Sequence, residues 1–386
     1  MRIALFHNRY RERGGEDAAV DAQLELLVKA GHDVRLYAVD NREEVRGLAG
    51  ALRAGRRARW NPTTRTRLED WLADSRPDVA HVHNFFPVLS PSLHHALAEL
   101  GIPVVQTLHN YRLVCANGLL RRAGRACREC VEHGPWRAVR YGCYRGSRLQ
   151  TAVWCDMTAD HRRRGTWRDC VDRFVAPSEA ARRELVAGGL PDERTRVIPN
   201  PVADPGAPTP PGEGAVYVGR LAAEKGLDLL LDAWRELADV PLTLVGGGPE
   251  QARLRARASG SPGVRWLGEV SRDRALAAIA GAAFVVVPSL APEVFGMTTL
   301  EALASARPAV VPRGSAMAEL VDPGRTGLHF ESGDAASLAR ACRTLADDAE
   351  AVAMLGEEGR RDYEDFFAPE VVLAALEDLY ASIRRG

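Results

Sequence analysis

The stretch "APEVFGMTTLEAL", Ala291 to Leu303, places two carboxylates, Glu293 and Glu301, eight positions apart on either side of Gly296. An apolar run, "AAFVVVPS", precedes them; Pro292 and Gly296 mark a loop, and "TTLEALASA" has helix-forming composition. The pattern predicts a strand, a loop and a helix that begins between Gly296 and Thr298. The first N–H groups of such a helix lack partners within it and lie at the positive end of its dipole, so the helix start attracts phosphate. Glu293 would precede those donors and Glu301 would lie about one turn inside the helix. Carboxylates accept paired sugar hydroxyls. The arrangement therefore predicts a nucleotide sugar, its diphosphate at the helix start, one acid on the hexose and the other on the ribose.

Transfer from such a donor builds negative charge on the departing phosphate, and fixed cations there stabilise the transition state without a divalent metal. "GRLAAEKG" supplies Arg220 and Lys225. The chain has only two lysines, Lys29 and Lys225, against 49 arginines, so a lysine in this loop points to a compact point charge. A solvated lysine at a helix start is the alternative. Gly246, Gly247 and Gly248 follow another apolar run and precede Pro249, which suits either close backbone approach to a ligand or a plain glycine turn.

Four of the seven cysteines, Cys115, Cys127, Cys130 and Cys143, follow the spacing C-x11-C-x2-C-x12-C within an Arg-rich, core-poor segment. That spacing can close a tetrahedral thiolate zinc site of structural role, with unconnected reduced cysteines as the alternative and disulfides disfavoured in a cytoplasm.

At 386 residues the chain exceeds what one core organises, so two domains are expected. The composition, 46% hydrophobic and 26% charged, is that of a globular protein. No apolar run reaches the roughly 18 residues of a membrane span, and the apolar start is too short for a signal peptide, which predicts a cytoplasmic protein. The zero net charge conceals an asymmetry: residues 1–198 carry 33 Lys+Arg against 24 Asp+Glu, and residues 199–386 carry 18 against 27. The basic half is either a solvated surface or a face for an anionic partner, including the inner membrane surface. Nucleic acid is not expected, because aromatic interleaving is lacking.

The boundary falls in "PNPVADPGAPTPPGEG", residues 199–214, where six prolines and three glycines preclude a helix or central strand. Before it, "IALF", "DVRLYAV", "PDVAHVH" and "IPVVQTLH" read as strands; after it, "AVYVGR", "PLTLVGGG", "VRWLGEV", "AAFVVVPS", "RPAVVPR" and "TGLHF" do. A helix carries Val20, Leu24 and Leu27 until Gly31. Apolar strands alternating with helices predict an α/β protein with parallel sheets in each half and a ligand cleft at the carboxyl ends of the strands. The expected division is an N-terminal domain, 1–198, with a Cys-containing insertion at 111–148; a linker, 199–214; a C-terminal domain, 215–365; and a terminal helix, 366–386, with packing back on the N-terminal domain as one option.

The E-x7-E pattern after a strand, with "YVGRLAAEKG", "LVGGGPE", "VIPNPV" and "RGGEDAAV" in that family's order, resembles the GT-B retaining glycosyltransferases of family 4, the group 1 glycosyltransferases. The resemblance covers nearly the whole chain. It implies two Rossmann-like domains facing across a cleft, an N-terminal domain for the acceptor and a C-terminal one for the donor. It implies that Glu293 contacts the transferred sugar, Glu301 the ribose, and Arg220 and Lys225 the diphosphate. Asn200, Gly247, Gly248 and the backbone of Phe295, Gly296, Met297, Thr298 and Thr299 would line the donor site, with Glu269 and Val270 at the base. Gly14 and Gly15 match the family's N-terminal glycine loop, and His109 a histidine over the sugar. His7, His81 and His83 also end strands, so the choice of His109 rests on the resemblance. Asn84 and Phe85 are acceptor-side candidates.

The implied reaction retains the anomeric configuration, uses no catalytic metal and moves a hexose from a UDP-sugar, or a GDP-sugar, to a sugar, lipid-linked sugar or small metabolite. A nicotinamide dehydrogenase would need G-x-G-x-x-G after its first strand and a P-loop enzyme would need Gly-Lys; both are absent. A GT-B epimerase and a non-catalytic sugar-nucleotide binding protein are the remaining alternatives.

Overall fold

A computed structural model describes residues 1–9, 14–41, 47–261 and 263–384. The chain splits into two compact units: unit 1 is Met1–Pro201 with Val372–Gly386, and unit 2 is Val202–Val371.

In unit 1, β1 (Arg2–Arg9), β2 (Asp33–Asp40), β3 (Val79–Asn84), β4 (Val104–Thr107), β7 (Arg173–Ala176) and β8 (Thr195–Val197) form one sheet; β5 (Arg121–Arg122) and β6 (Arg125–Ala126) make a separate hairpin. The large sheet runs β2-β1-β3-β4-β7-β8, with every pairing parallel. β3 and β4 are buried along their whole lengths, as strands covered on both faces must be. Two strands, β7 and β8, go beyond the four expected in this half. "RFVA" and "TRV" are four and three residues long and each contains an arginine, so neither offers an apolar run long enough to announce a strand.

Unit 2 contains β9 (Ala215–Val218), β10 (Leu242–Val245), β11 (Val264–Gly268), β12 (Phe284–Val286), β13 (Ala309–Pro312) and β14 (Gly327–Phe330), in the parallel order β11-β10-β9-β12-β13-β14. These are the six runs read from the sequence. One face of the sheet buries Tyr217, Leu244, Phe284 and Val286 against Leu230 and Leu338; the other buries Val216 and Val285 against Leu300, Leu303 and Met317. Crossovers leave in opposite directions from neighbouring strands, between β9 and β12 in unit 2 and between β1 and β3 in unit 1. Open α/β sheets bind ligands beyond the carboxyl ends of the strands at such reversals.

The Pro-rich stretch has no regular structure from residue 202 to 214 and is strapped onto unit 2. Prolines cannot donate hydrogen bonds, but their carbonyls accept them. The fully buried Arg307 guanidinium donates to Thr209 O (2.9 Å) and Pro210 O (3.0 Å). The final helix, Pro369–Ile383, buries Val372, Leu376, Leu379, Tyr380 and Ile383 against Ile3, Leu5, Leu27 and Val105 of unit 1. His32 Nε2 meets Glu377 Oε1 at 2.7 Å on the same helix.

Candidate functional site

In unit 2 the loops after β9 and β12 carry Arg220, Lys225, Glu293, Phe295 and Gly296 of the residues singled out from the sequence. Lys225 Nζ donates to Glu293 Oε1 at 2.9 Å, joining the two loops at the sheet reversal. Arg220, half-exposed, pairs with Glu224. The Tyr217 hydroxyl donates to Arg220 O (2.8 Å), fixing the start of this loop. Burial, and then the nearby carboxylates of Glu293 and Glu224, push the Tyr217 phenol well above its ordinary range, so it remains a donor at any working pH.

The helix after β12 runs Met297–Ala304, with Gly296 as N-cap and no side chain capping it. Gly296 leaves no room for a side chain: a Cβ there would come within 2.6 Å of Met317 Cγ. Phe295 is buried, so its backbone is what it can offer a ligand. Thr298 Oγ1 donates to Val218 O (3.2 Å), tying the helix start to β9, whereas the buried Thr299 Oγ1 finds no partner. Glu301 is 8% exposed and meets Arg272 NH2 at 3.1 Å. Burial raises its pKa and Arg272 opposes the rise.

The glycine loop after β10 meets backbone at two of its three positions and a side chain at the third. A Cβ on Gly246 would lie 2.0 Å from Gly219 O and one on Gly248 2.4 Å from Leu221 O, both at positive φ. Leu221 N donates to Gly247 O (2.8 Å) and Glu250 N to Leu221 O (3.0 Å). These glycines let the loop bearing Arg220 dock on its neighbour. Gly247 faces Glu269, whose Oε2 is 3.0 Å from the position a Cβ would take. Glu269 is exposed and Val270 half-buried on the hydrophobic cluster of this face.

In unit 1, Gly14 caps the helix Gly15–Lys29, and its N–H donates to Asp17 Oδ2 (3.2 Å). The other Asp17 oxygen accepts from His7 Nε2 at 2.9 Å, with both side chains buried. Burial raises the Asp17 pKa, but the bonds from His7 and Gly14 outweigh it, and the carboxyl sits below its ordinary value. His109 follows β4, and its Nε2 lies 2.9 Å from His83 Nδ1. His83 stacks on His81 at 4.5 Å between centroids, and His81 Nδ1 meets the Tyr380 hydroxyl at 2.7 Å. Burial drives His81 and His109 down to about 3 and His83 well below its usual value, so this column is neutral at physiological pH. His7 Nδ1, His83 Nε2 and His109 Nδ1 are buried without hydrogen-bond partners.

Asn84 braces its loop, donating to Asn8 O (2.8 Å) and accepting from Phe86 N (3.0 Å). Phe85 is buried against His94 and Trp167, a packing role. Asn200 is buried and belongs with unit 1. Cys115, Cys127, Cys130 and Cys143 line one cavity as free thiols. Among the described residues no three His, Cys, Asp or Glu side chains stand in a metal-holding arrangement.

Two family models match the chain in succession: "Glycosyltransferase Family 4" over residues 13–204 and "Glycosyl transferases group 1" over residues 212–348. The chain belongs to the family 4, group 1 glycosyltransferases. Among similar family members, the glycogen synthase of Mycobacterium tuberculosis is 28% identical over 319 residues, 81% of this chain and 70% of that protein. The sulfoquinovosyl transferase SQD2 of Arabidopsis thaliana is 30% identical over 154 residues, 39% of this chain. A GDP-mannose-dependent phosphatidylinositol dimannoside mannosyltransferase of M. tuberculosis is 38% identical over 110 residues, 28% of this chain. The chain spans only 30% and 29% of the lengths of these last two relatives. The fold matches sucrose-phosphate synthase of Thermosynechococcus elongatus, with a TM-score of 0.72 at 19% identity over 99% of this chain and 98% of that one. Anabaena HepE in complex with UDP-glucose gives 0.69 at 17%, over 99% and 100%. The fold of this glycosyltransferase chain is GT-B.

Proposed function

We propose that the chain is a retaining hexosyltransferase that moves a sugar from a nucleoside diphosphate, UDP in the first instance and GDP as the alternative, to an acceptor hydroxyl without a catalytic metal. The observation that carries this reading is the 2.9 Å contact of Lys225 with Glu293 across the β9–β12 reversal. It sets a cation beside an acid at the place where an open sheet binds its ligand. Lys225 and Arg220 take the diphosphate charge as it develops, Glu293 holds the hexose, and Glu301 accepts the ribose hydroxyls. The N–H groups of Met297, Thr298 and Thr299 take the phosphates, and Gly247, Gly248, Glu269 and Val270 the nucleotide side. Gly14, Gly15 and His109 serve the reacting sugar. Binding of UDP-glucose by HepE and the GDP-mannose dependence of the mannosyltransferase support these donor classes.

The acceptor is a sugar, a lipid-linked sugar or a small metabolite. No described helix is long and apolar enough to cross a membrane. The segment 111–148 carries nine arginines against two acids and exposes Leu119, Trp136 and Tyr141, which suits peripheral contact with an anionic surface. Salt-sensitive cosedimentation with anionic vesicles supports that contact; indifference to them removes it.

The reaction is tested by following nucleoside diphosphate release and product anomer across UDP- and GDP-sugars, with and without EDTA. Release unaffected by EDTA and a product of the donor's configuration are expected. Sugar interconversion without net release would replace transfer by epimerisation, and loss of activity in EDTA would overturn metal independence.

A further inference from the structure

We propose that Cys115, Cys127, Cys130 and Cys143 form a structural zinc site that staples the insertion at 111–148. The four thiols come from three separate stretches: the turn Cys115–Gly118, the junction of β6 with the helix Glu129–His133, and the second residue after the helix Arg137–Tyr141. All four nevertheless line a single cavity.

The turn after Cys115 is held by Asn117, whose Oδ1 accepts from Cys115 Sγ (3.0 Å) and from Leu119 N (2.9 Å), and this fixes the sulfur against the cavity. Arg121, Arg122 and Arg137 also border the cavity. They offset the double negative charge of a zinc tetrathiolate.

The segment has little regular structure of its own, although Tyr111, Val114, Leu120 and Ala138 are buried. Its helices Glu129–His133 and Arg137–Tyr141 are five residues each, and its hairpin strands two. Pieces this short do not persist alone, and small core-poor segments are commonly closed by a metal. A four-thiolate set leaves no open coordination position, which is the pattern of a structural site.

The step is balanced: Zn²⁺ binds four thiols and releases four protons, Cys115 giving up the one it shares with Asn117 Oδ1 at 3.0 Å. The sulfurs do not already stand in metal-holding geometry. Closure requires rotation about the Cα–Cβ bonds, which carries each Sγ from one staggered well to another.

The test is metal analysis of the full chain, purified with a reductant and without added chelator, followed by replacement with Co²⁺. One zinc per chain and sulfur-to-cobalt charge-transfer absorption are expected. Cys127→Ser and Cys130→Ser should each lose the metal, and Cys170→Ser, outside the cavity, should keep it. Wild-type protein with less than a tenth of an equivalent of zinc and no cobalt spectrum would overturn the proposal, whatever the variants do. Iron with acid-labile sulfide would overturn it in favour of a cluster. Retention of full zinc by both cavity variants would move the site elsewhere.

Discussion

The residues at the β9–β12 reversal are charged, partly exposed and paired, whereas the column of His81, His83 and His109 in unit 1 is neutral. Lys225 and Glu293 keep 29% and 24% of their side-chain surface, whereas His81 keeps none. A partly wet ion pair can exchange one partner for a phosphate at modest cost, because such pairs contribute little to stability. A buried neutral column cannot take up charge cheaply, and suits a site where a sugar must be positioned without a competing cation. The same kind of sheet reversal thus carries two electrostatic settings, set by burial.

That contrast can be broken at its strongest point by Lys225→Ala. Removal of the cation should lower kcat/KM by about 10²- to 10³-fold with little loss of folding stability. A large stability loss and ordinary kinetics would make the pair structural. The glycine loops separate next. Gly246→Ala forces a Cβ to 2.0 Å from Gly219 O at φ +132, and should cost about 3 kcal/mol in denaturant unfolding. Gly14 has nothing within 4 Å of its Cβ position, so Gly14→Ala should cost under about 1 kcal/mol while reducing turnover. Equal stability losses would erase the distinction.

The histidine column makes a pH prediction. Unfolded histidines titrate near 6.5, whereas His81 and His109 stay unprotonated in the fold down to about 3. Between these values the unfolded chain holds more protons, so stability must fall as pH falls, by roughly 1.4 kcal/mol per pH unit for each histidine. Unfolding free energies measured from pH 7 to pH 5 check it; a flat profile would mean that the column takes up protons as readily in the fold as in the unfolded chain. The smallest effect concerns Arg272→Gln. Burial raises the Glu301 pKa and Arg272 restrains it, so the variant should protonate Glu301 at higher pH. Donor affinity should drop about tenfold at pH 6 and less at pH 8.

Unit 2 was legible because its strands are continuous apolar runs and its acids flank one of them. Its partners were not: nothing in "SRDR" marks Arg272 as the residue that reaches Glu301, since the contact depends on how the helix Arg272–Ala280 sits beside Met297–Ala304. In unit 1 the signal was half present. "AHVHN" puts His81 and His83 on one face of β3 by the two-residue period, but the link to His109 needs the neighbouring strand, and Tyr380 lies 299 residues from His81. β7 and β8 were too short to read, and the strap made by Arg307 depends on carbonyls that composition does not display.

The most direct test of the account is equilibrium binding of UDP-glucose, GDP-mannose and related donors to the wild-type chain, Lys225→Ala and Glu301→Ala, read as the shift in unfolding midpoint with donor concentration. The account predicts that one donor class stabilises the wild type and that both variants lose most of that shift while keeping their ligand-free midpoints. Undiminished donor stabilisation in both variants would contradict the assignment of the β9–β12 reversal as the donor site.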